Sequence, residues 1–262
     1  MQTELIRVTS RAGVLEVTLN RPEKLNAINR EMLARLRDVF ETLDENSDIR
    51  AVLLTGAGRG FCAGQDLTEF GAPADVAAQV ARSLEQDYHP LIEAIRRAPV
   101  PVVAGVGGLA SGAGTSLALA CDMVIAGEAA QIDLGFVRIG LVPDCGATHI
   151  VPRLVGPARA AGLMLLGEPV SGAQAAQWGL IWRAVPDAVL LVEARALARK
   201  LAGGATFAHG LIKTTLRQTA ENSLAAQLDL ERDLQIKAAQ SRDFAHAVEA
   251  FAAKMPPSFE GR

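Results

Sequence analysis

Three cysteines, Cys62, Cys121 and Cys145, are too few and too irregularly spaced for a CxxC pair, a zinc framework or a disulfide scaffold, so they read as reduced thiols. Charge of one sign is also lacking. The 26 Lys and Arg against 29 Asp and Glu leave a formal net charge of −3, without the basic surplus that nucleic-acid binding requires. An anionic ligand would have to be met by local groups, such as helix N-termini or a few lysines. Met1-Gln2-Thr3-Glu4-Leu5 lacks a basic region followed by a long apolar run, so neither a signal peptide nor a membrane anchor is expected, and the expected location is cytoplasmic. His89, His209 and His246 are scattered, and no metal site is expected. The glycine-rich segments lack the Gly-Lys-Ser/Thr ending of a P-loop, the GxGxxG of a dinucleotide fold and the GxSxG of a nucleophile elbow. Neither ATP nor NAD is implied.

What is present is an α/β pattern. Half of the 262 residues are apolar, enough for one substantial core. Alternation over Leu5-Ile6-Arg7-Val8-Thr9 and Val14-Leu15-Glu16-Val17-Thr18-Leu19 predicts two strands with Arg11-Ala12-Gly13 as the turn between them. Asn29 is placed to cap a helix whose Met32, Leu33, Leu36, Val39, Phe40 and Leu43 form one stripe. Short apolar runs at residues 51–55, 101–106 and 123–126 read as buried strands. A glycine-rich loop follows the first of these (residues 56–64), and a second follows the next (residues 107–114). After Gly203-Gly204 the pattern turns helical, with Leu224, Leu228 and Leu230 and then Phe244, Val248 and Phe251 making stripes that this tail cannot bury alone. Trp178 and Trp182, near a segment capped by Ser171, read as packing residues.

Two stretches carry a resemblance: Arg59-Gly60-Phe61-Cys62-Ala63-Gly64-Gln65-Asp66-Leu67 and Gly107-Gly108-Leu109-Ala110-Ser111-Gly112-Ala113-Gly114. They resemble the signature loops of the enoyl-CoA hydratase/isomerase (crotonase) family, with Asn20-Arg21-Pro22 and Leu25-Asn26-Ala27 resembling its first CoA-contacting segment. The likeness runs the length of the chain. It is closer still to the ring-epoxide isomerases of phenylacetate catabolism, through Gly140-Leu141-Val142-Pro143-Asp144-Cys145-Gly146 and Gln227-Leu228-Asp229-Leu230-Glu231-Arg232-Asp233. The resemblance implies a ββα spiral core over residues 1–203, and a C-terminal helical oligomerisation region over residues 204–262, in a homotrimer or homohexamer.

For the site, the resemblance implies an oxyanion hole made by the N–H groups of Gln65 and Ala113. It also implies CoA contacts from Lys24, Leu25, Ala27, Ala63, Gln65, Asp66, Leu67 and Lys254, with CoA as part of the substrate and no separate cofactor. Small residues in both loops admit a ligand close to the main chain, and a helix starting at Ala113 favours an anion. A solvated turn aspartate is the alternative for Asp66 and a solvated surface lysine for Lys24 and Lys254. Hydratases of the family carry glutamates at the positions of Ser116 and Phe136, which hold no carboxylate here. Asp144 matches the aspartate of family isomerases, and its apolar surroundings would raise its pKa toward that of a general base. The same residue before Cys145-Gly146-Ala147-Thr148 also reads as a helix N-cap. Cys145 and His149, four apart, would share a helical face, an arrangement open to a thiol-nucleophile reading. The expected reaction is acyl-CoA isomerisation through a thioester enolate, on the ring epoxide of phenylacetyl-CoA to give its oxepin isomer. The alternatives are a 3-enoyl to 2-enoyl shift, enoyl-CoA hydration, or acyl-CoA binding without catalysis.

Overall fold

The computed structural model describes residues 4–43, 48–70 and 75–261. The opening alternation becomes an antiparallel pair, β1 (Ile6–Arg11) on β2 (Val14–Leu19), with Ile6 opposite Leu19 and Arg11 opposite Val14. The turn is shorter than the sequence pattern indicates. Only Ala12 and Gly13 make it, at φ 51° and 75°, and two positive-φ residues match the right-handed twist of the strands they join. Arg11 therefore belongs to the strand.

Parallel to β2 run β3 (Ala51–Gly56), β5 (Val102–Val106), β7 (Met123–Gly127) and β10 (Arg183–Val185), giving the sheet order β1-β2-β3-β5-β7-β10. A second sheet contains β4 (Gly60–Cys62), β6 (Leu109–Ser111), β8 (Gln131–Asp133) and β9 (Val170–Ser171) in that order. The helices are α1 (Arg30–Glu41), α2 (Val76–Ser83), α3 (His89–Arg97), α4 (Ala113–Ala120), α5 (Ala147–Leu166), α6 (Gly172–Trp178), α7 (Leu190–Ala202), α8 (Thr206–Gln218), α9 (Leu224–Ala239) and α10 (Arg242–Ala252). Three times the chain visits the large sheet, then the small sheet, then helix: β3-β4-α2-α3, β5-β6-α4 and β7-β8-α5. This is a ββα spiral.

Burial explains the strand composition. β5 is buried along its whole length and β3 up to its last residue, as apolar parallel strands covered on both faces should be. On one face lie α1, α3 and α4. Asn29 caps α1 by accepting from the Met32 N–H, and Met32, Leu33, Leu36 and Phe40 go under, each contributing roughly 1.5–3 kcal/mol. On the other face α7 lays Ala194, Ala198 and Ala202 against Leu53, Val103 and Ile125. A Cβ at Gly105 would come within 3.2 Å of the Ala194 methyl, so this crossing depends on small residues.

Among the described residues no helix is long and apolar enough to cross a membrane, and no group of three His, Cys, Asp or Glu could hold a metal ion. All three cysteines are free and buried. Trp178 packs against the core with the Arg159 guanidinium 5.3 Å above its ring. Trp182 departs from expectation, because it is 64% exposed and no core closes over it.

Candidate active site

The two glycine-rich loops meet. A Cβ at Gly64 would lie 2.9 Å from the Ser111 carbonyl oxygen and 3.5 Å from the Ala113 nitrogen, and one at Gly114 would lie 2.3 Å from the Cys62 carbonyl oxygen. Only glycine allows this approach. The first loop is also laced to residues 21–27. Asn26, fully buried, donates to the Ala57 and Gly60 carbonyls at 2.9 and 2.8 Å and accepts from the Arg21 N–H at 2.8 Å. Leu25 and Asn26 both hold left-handed φ values, 49° and 57°, a strain that persists only where surrounding bonds fix it. The Ala63 N–H donates to the Leu25 carbonyl at 2.9 Å, which sets Leu25 beside Ala63, while the Ala27 N–H bonds back to the Lys24 carbonyl at 3.0 Å.

Peptide geometry determines where the Gln65 and Ala113 N–H groups point. In a trans peptide the C=O and N–H are directed oppositely. The Gly64 carbonyl accepts from the Ile28 N–H at 2.7 Å, which turns the Gln65 N–H away from Ile28. The Gly112 carbonyl accepts from the Ser116 N–H at 3.1 Å inside the first turn of α4, which turns the Ala113 N–H out of the helix end. Neither N–H has an acceptor among the described residues. Both residues line one cavity of about 240 Å³, whose other walls include Leu67, Phe70, Leu84, Tyr88, Phe136, Ile139, Leu141 and Asp144. The Phe136 ring lies beside Gly112, 3.7 Å from where a Cβ would be.

Asp144 is the only carboxylate among the described residues lining this cavity. Its Oδ1 is buried and unpartnered. Burial is the main reason its pKa stands above the ordinary carboxylate range, with the Cys145 thiol and His89 pulling the other way. It does not cap α5. Gly146, at φ 82°, occupies the cap position, and Asp144 contributes only its main-chain carbonyl, which accepts from the Ala147 N–H at 3.0 Å. That leaves the side chain to the cavity. Cys145 precedes the helix in the left-handed region, φ 51°, so it shares no helical face with His149. Its buried thiol is pushed up further by Asp144, the reverse of what a thiolate nucleophile needs.

Ser116 is buried, and its hydroxyl lies within reach of the Asp144 carbonyl at 3.1 Å and the Gly112 carbonyl at 3.3 Å, tying α4 to the Asp144 segment. Asp133 braces the second loop: it accepts from the Ser111 hydroxyl at 2.7 Å and the Gly135 N–H at 2.8 Å, and it pairs with Arg138. Asp66 is not a solvated turn residue. Only 7% exposed, it pairs with Arg21 at 2.9 Å and accepts from the Thr68 hydroxyl at 2.6 Å, and the Thr68 bond leads the causes that hold its pKa low. Its carboxylate is absent from the cavity wall. Leu67 lines the cavity but is half exposed. Lys24 is exposed within the 21–27 segment, and Lys254 is exposed beyond the end of α10.

Residues that sequence reasoning missed include Arg138, whose pairing with Asp133 is set by the fold, and Tyr88, the chain's single tyrosine. Tyr88 is 4% exposed and its hydroxyl donates to the Gln65 side-chain oxygen at 2.7 Å. Two free donors and a part-buried carboxylate around an apolar cavity are parts for holding an oxyanion and moving a proton.

Comparison with known proteins agrees with that chemistry. A family model described as enoyl-CoA hydratase/isomerase matches residues 9–262. The 1,2-epoxyphenylacetyl-CoA isomerase of Escherichia coli (strain K12) is 47% identical over 251 residues, which is 95% of this chain and 96% of that protein. The 2,3-dehydroadipyl-CoA hydratase of the same strain is 38% identical, over 99% of this chain and 100% of that one. The crystal structure of an enoyl-CoA hydratase from Bacillus anthracis superposes with a TM-score of 0.91 at 30% identity, covering 99% of this chain and 100% of that chain. With the spiral fold, the paired glycine loops and a match over nearly its full length, the chain belongs to the enoyl-CoA hydratase/isomerase family.

Proposed function

We propose that the protein is an acyl-CoA isomerase that works through a thioester enolate, with 1,2-epoxyphenylacetyl-CoA converted to its oxepin isomer as the reaction. The observation that carries this is Asp144, the single carboxylate among the described residues lining the cavity. The Gln65 and Ala113 N–H groups hold the thioester oxygen as it gains charge, each contributing ~3–4 kcal/mol to the transition state. Asp144 removes the proton next to the thioester. The pair left by that proton forms a double bond to the adjoining ring carbon, the C–C bond shared by the epoxide and the six-membered ring breaks to leave the oxygen bridging a seven-membered ring, and the displaced pair shifts through the diene to a ring carbon that takes the proton. Atoms are conserved and one base suffices.

The Phe136 ring and the buried Ser116 leave no second carboxylate to hold a water, which weighs against hydration although several relatives bear hydratase names. CoA runs past Lys24, Leu25, Ala27, Ala63 and the 65–67 segment, with Lys24 and Lys254 as the charges for its phosphates. Lys254 reaches such a position through assembly, as a homotrimer or homohexamer joined by residues 204–262. No cofactor beyond the CoA of the substrate enters the scheme.

The test is incubation of the purified protein with the phenylacetyl-CoA ring epoxide, a 3-enoyl-CoA and crotonyl-CoA, with products read by mass and ultraviolet spectra. Isomerisation of the epoxide without hydration of crotonyl-CoA is expected. Hydration of crotonyl-CoA at ordinary enzymatic rates would overturn the single-carboxylate scheme.

A further inference from the structure

Between α2 and α3 the helix does not run evenly. Residues Leu84–Tyr88 form a π turn, closed by the His89 N–H on the Leu84 carbonyl five residues back. One extra residue in the turn rotates everything beyond it relative to a continuous α-helix, and such insertions recur at functional sites. Here the turn ends on Tyr88, whose ring enters the cavity wall and whose hydroxyl meets Gln65. Burial, with smaller contributions from Cys145, Cys62, Asp144 and Glu69, holds the phenol's pKa well above its ordinary value, so the hydroxyl keeps its proton across the working range.

The Gln65 main chain is otherwise held along one line. The Gly64 carbonyl and the Asp66 N–H both bond to Ile28, at 2.7 and 2.8 Å. Two attachments to one residue define an axis about which the intervening peptide can pivot, and the Gln65 N–H lies off that axis. The other side-chain bond of Gln65, Nε2 to the Asp66 carbonyl at 3.4 Å, is long and local and gives no outside anchor. The Tyr88 bond at 2.7 Å is the third, off-axis attachment.

We propose that Tyr88 is a positioning residue that, through the Gln65 side chain, fixes the aim of the Gln65 N–H at the thioester oxygen. It acts chiefly on the transition state and changes ground-state affinity little. The inference rests on the enolate scheme above, so its test needs a readout that separates the two.

That readout is the infrared carbonyl stretch of bound phenylacetyl-CoA carrying an isotope-labelled thioester carbonyl, recorded beside steady-state kinetics for wild type, Tyr88→Phe, Gln65→Leu and the double variant. Gln65→Leu keeps the main-chain N–H. In wild type the bound carbonyl shifts to lower frequency. Tyr88→Phe is expected to lose much of that shift and about tenfold in kcat, with KM within about twofold, since small misalignments of donors cost rate steeply. Gln65→Leu should match it, and the double variant should be no worse than the poorer single. Thermal melting checks the fold. Tyr88→Phe leaves a half-buried amide oxygen unpartnered and melts lower, whereas the double variant has an apolar pair and recovers in melting but not in kcat. A wild-type shift that persists in Tyr88→Phe, or kcat losses that multiply in the double variant, overturns the positioning role alone. A wild type without any shift overturns the oxyanion scheme and this inference with it.

Discussion

The spiral core and the last helices are built from similar residues and treat them in opposite ways. In the core, β5 and α4 are buried residue by residue. In α9 and α10 only Gln227, Leu234 and Asp243 are buried, while Leu224 is 77% exposed and Phe251 86% exposed. A periodic stripe shows that a helix has an apolar face, and says nothing of whether the same chain covers it. In the core the chain is its own partner, sheet against helix. In the tail the stripes face outward, and the proposed assembly of copies through residues 204–262 would cover them.

The contrast separates chemistry from assembly, and three substitutions bear on it. The largest effect is expected from Asp144→Asn, which removes the cavity's carboxylate and should lower kcat by about 10³-fold while CoA-ester affinity measured by calorimetry and the sedimentation profile stay unchanged. Its stability should move the other way. Because burial raises the folded pKa of Asp144 above the unfolded value near 4, wild type loses stability as pH climbs from that value through the folded one. The asparagine variant should therefore melt higher at neutral pH, with the difference closing below pH of about 4. An Asp144→Asn that turns over normally would remove the chemistry from the core side of the comparison.

Next is Gly114→Ala. Its methyl would stand 2.3 Å from the Cys62 carbonyl oxygen and 2.8 Å from the sulfur, so the loops must part, at a cost of about 1–3 kcal/mol in denaturant midpoint analysis and most of the turnover. A variant as stable and active as wild type would show that the loop contact is slack. Smallest for the folded subunit is Phe251→Ser, expected to change monomer stability by less than about 0.5 kcal/mol and kcat very little. It should instead shift sedimentation toward smaller species. If sedimentation shows a monomer for wild type too, the exposed stripes have some other purpose.

Most of the framework was legible because it is local. Asn29 caps α1 as its spacing indicates, Ser171 caps α6 by accepting from the Gln174 N–H, and the apolar runs at 51–55, 101–106 and 123–126 became β3, β5 and β7. The glycine-rich loops were legible as loops, and the family likeness supplied the spiral that joins them. What escaped was whatever depends on one local choice defeating another. Asp144 has the residue type and place of an N-cap, but Gly146 can adopt φ 82° and ends the loop two residues later. Arg11 looked like turn because Ala12 is an unusual occupant of a positive-φ position. Tyr88 was invisible because a π turn has no composition signature, and its partner Gln65 is 23 residues away. Asp66 could not be placed without knowing that Arg21, 45 residues earlier, reaches it.

The two free N–H groups are the reverse sides of carbonyls already engaged, one by Ile28 and one by the first turn of α4. They belong to peptide units, and any substitution other than proline leaves the N–H in place. Drift at position 113 can change the residue's bulk or polarity and still hand the same donor to its descendants, and drift at position 65 can alter the donor's aim without deleting it, whereas Phe136, Leu141 or Asp144 can be lost outright in one step. On the proposed scheme, a lineage can thus exchange its acyl group and its proton carrier while inheriting one anion holder, stored in the path of the chain and not in its alphabet.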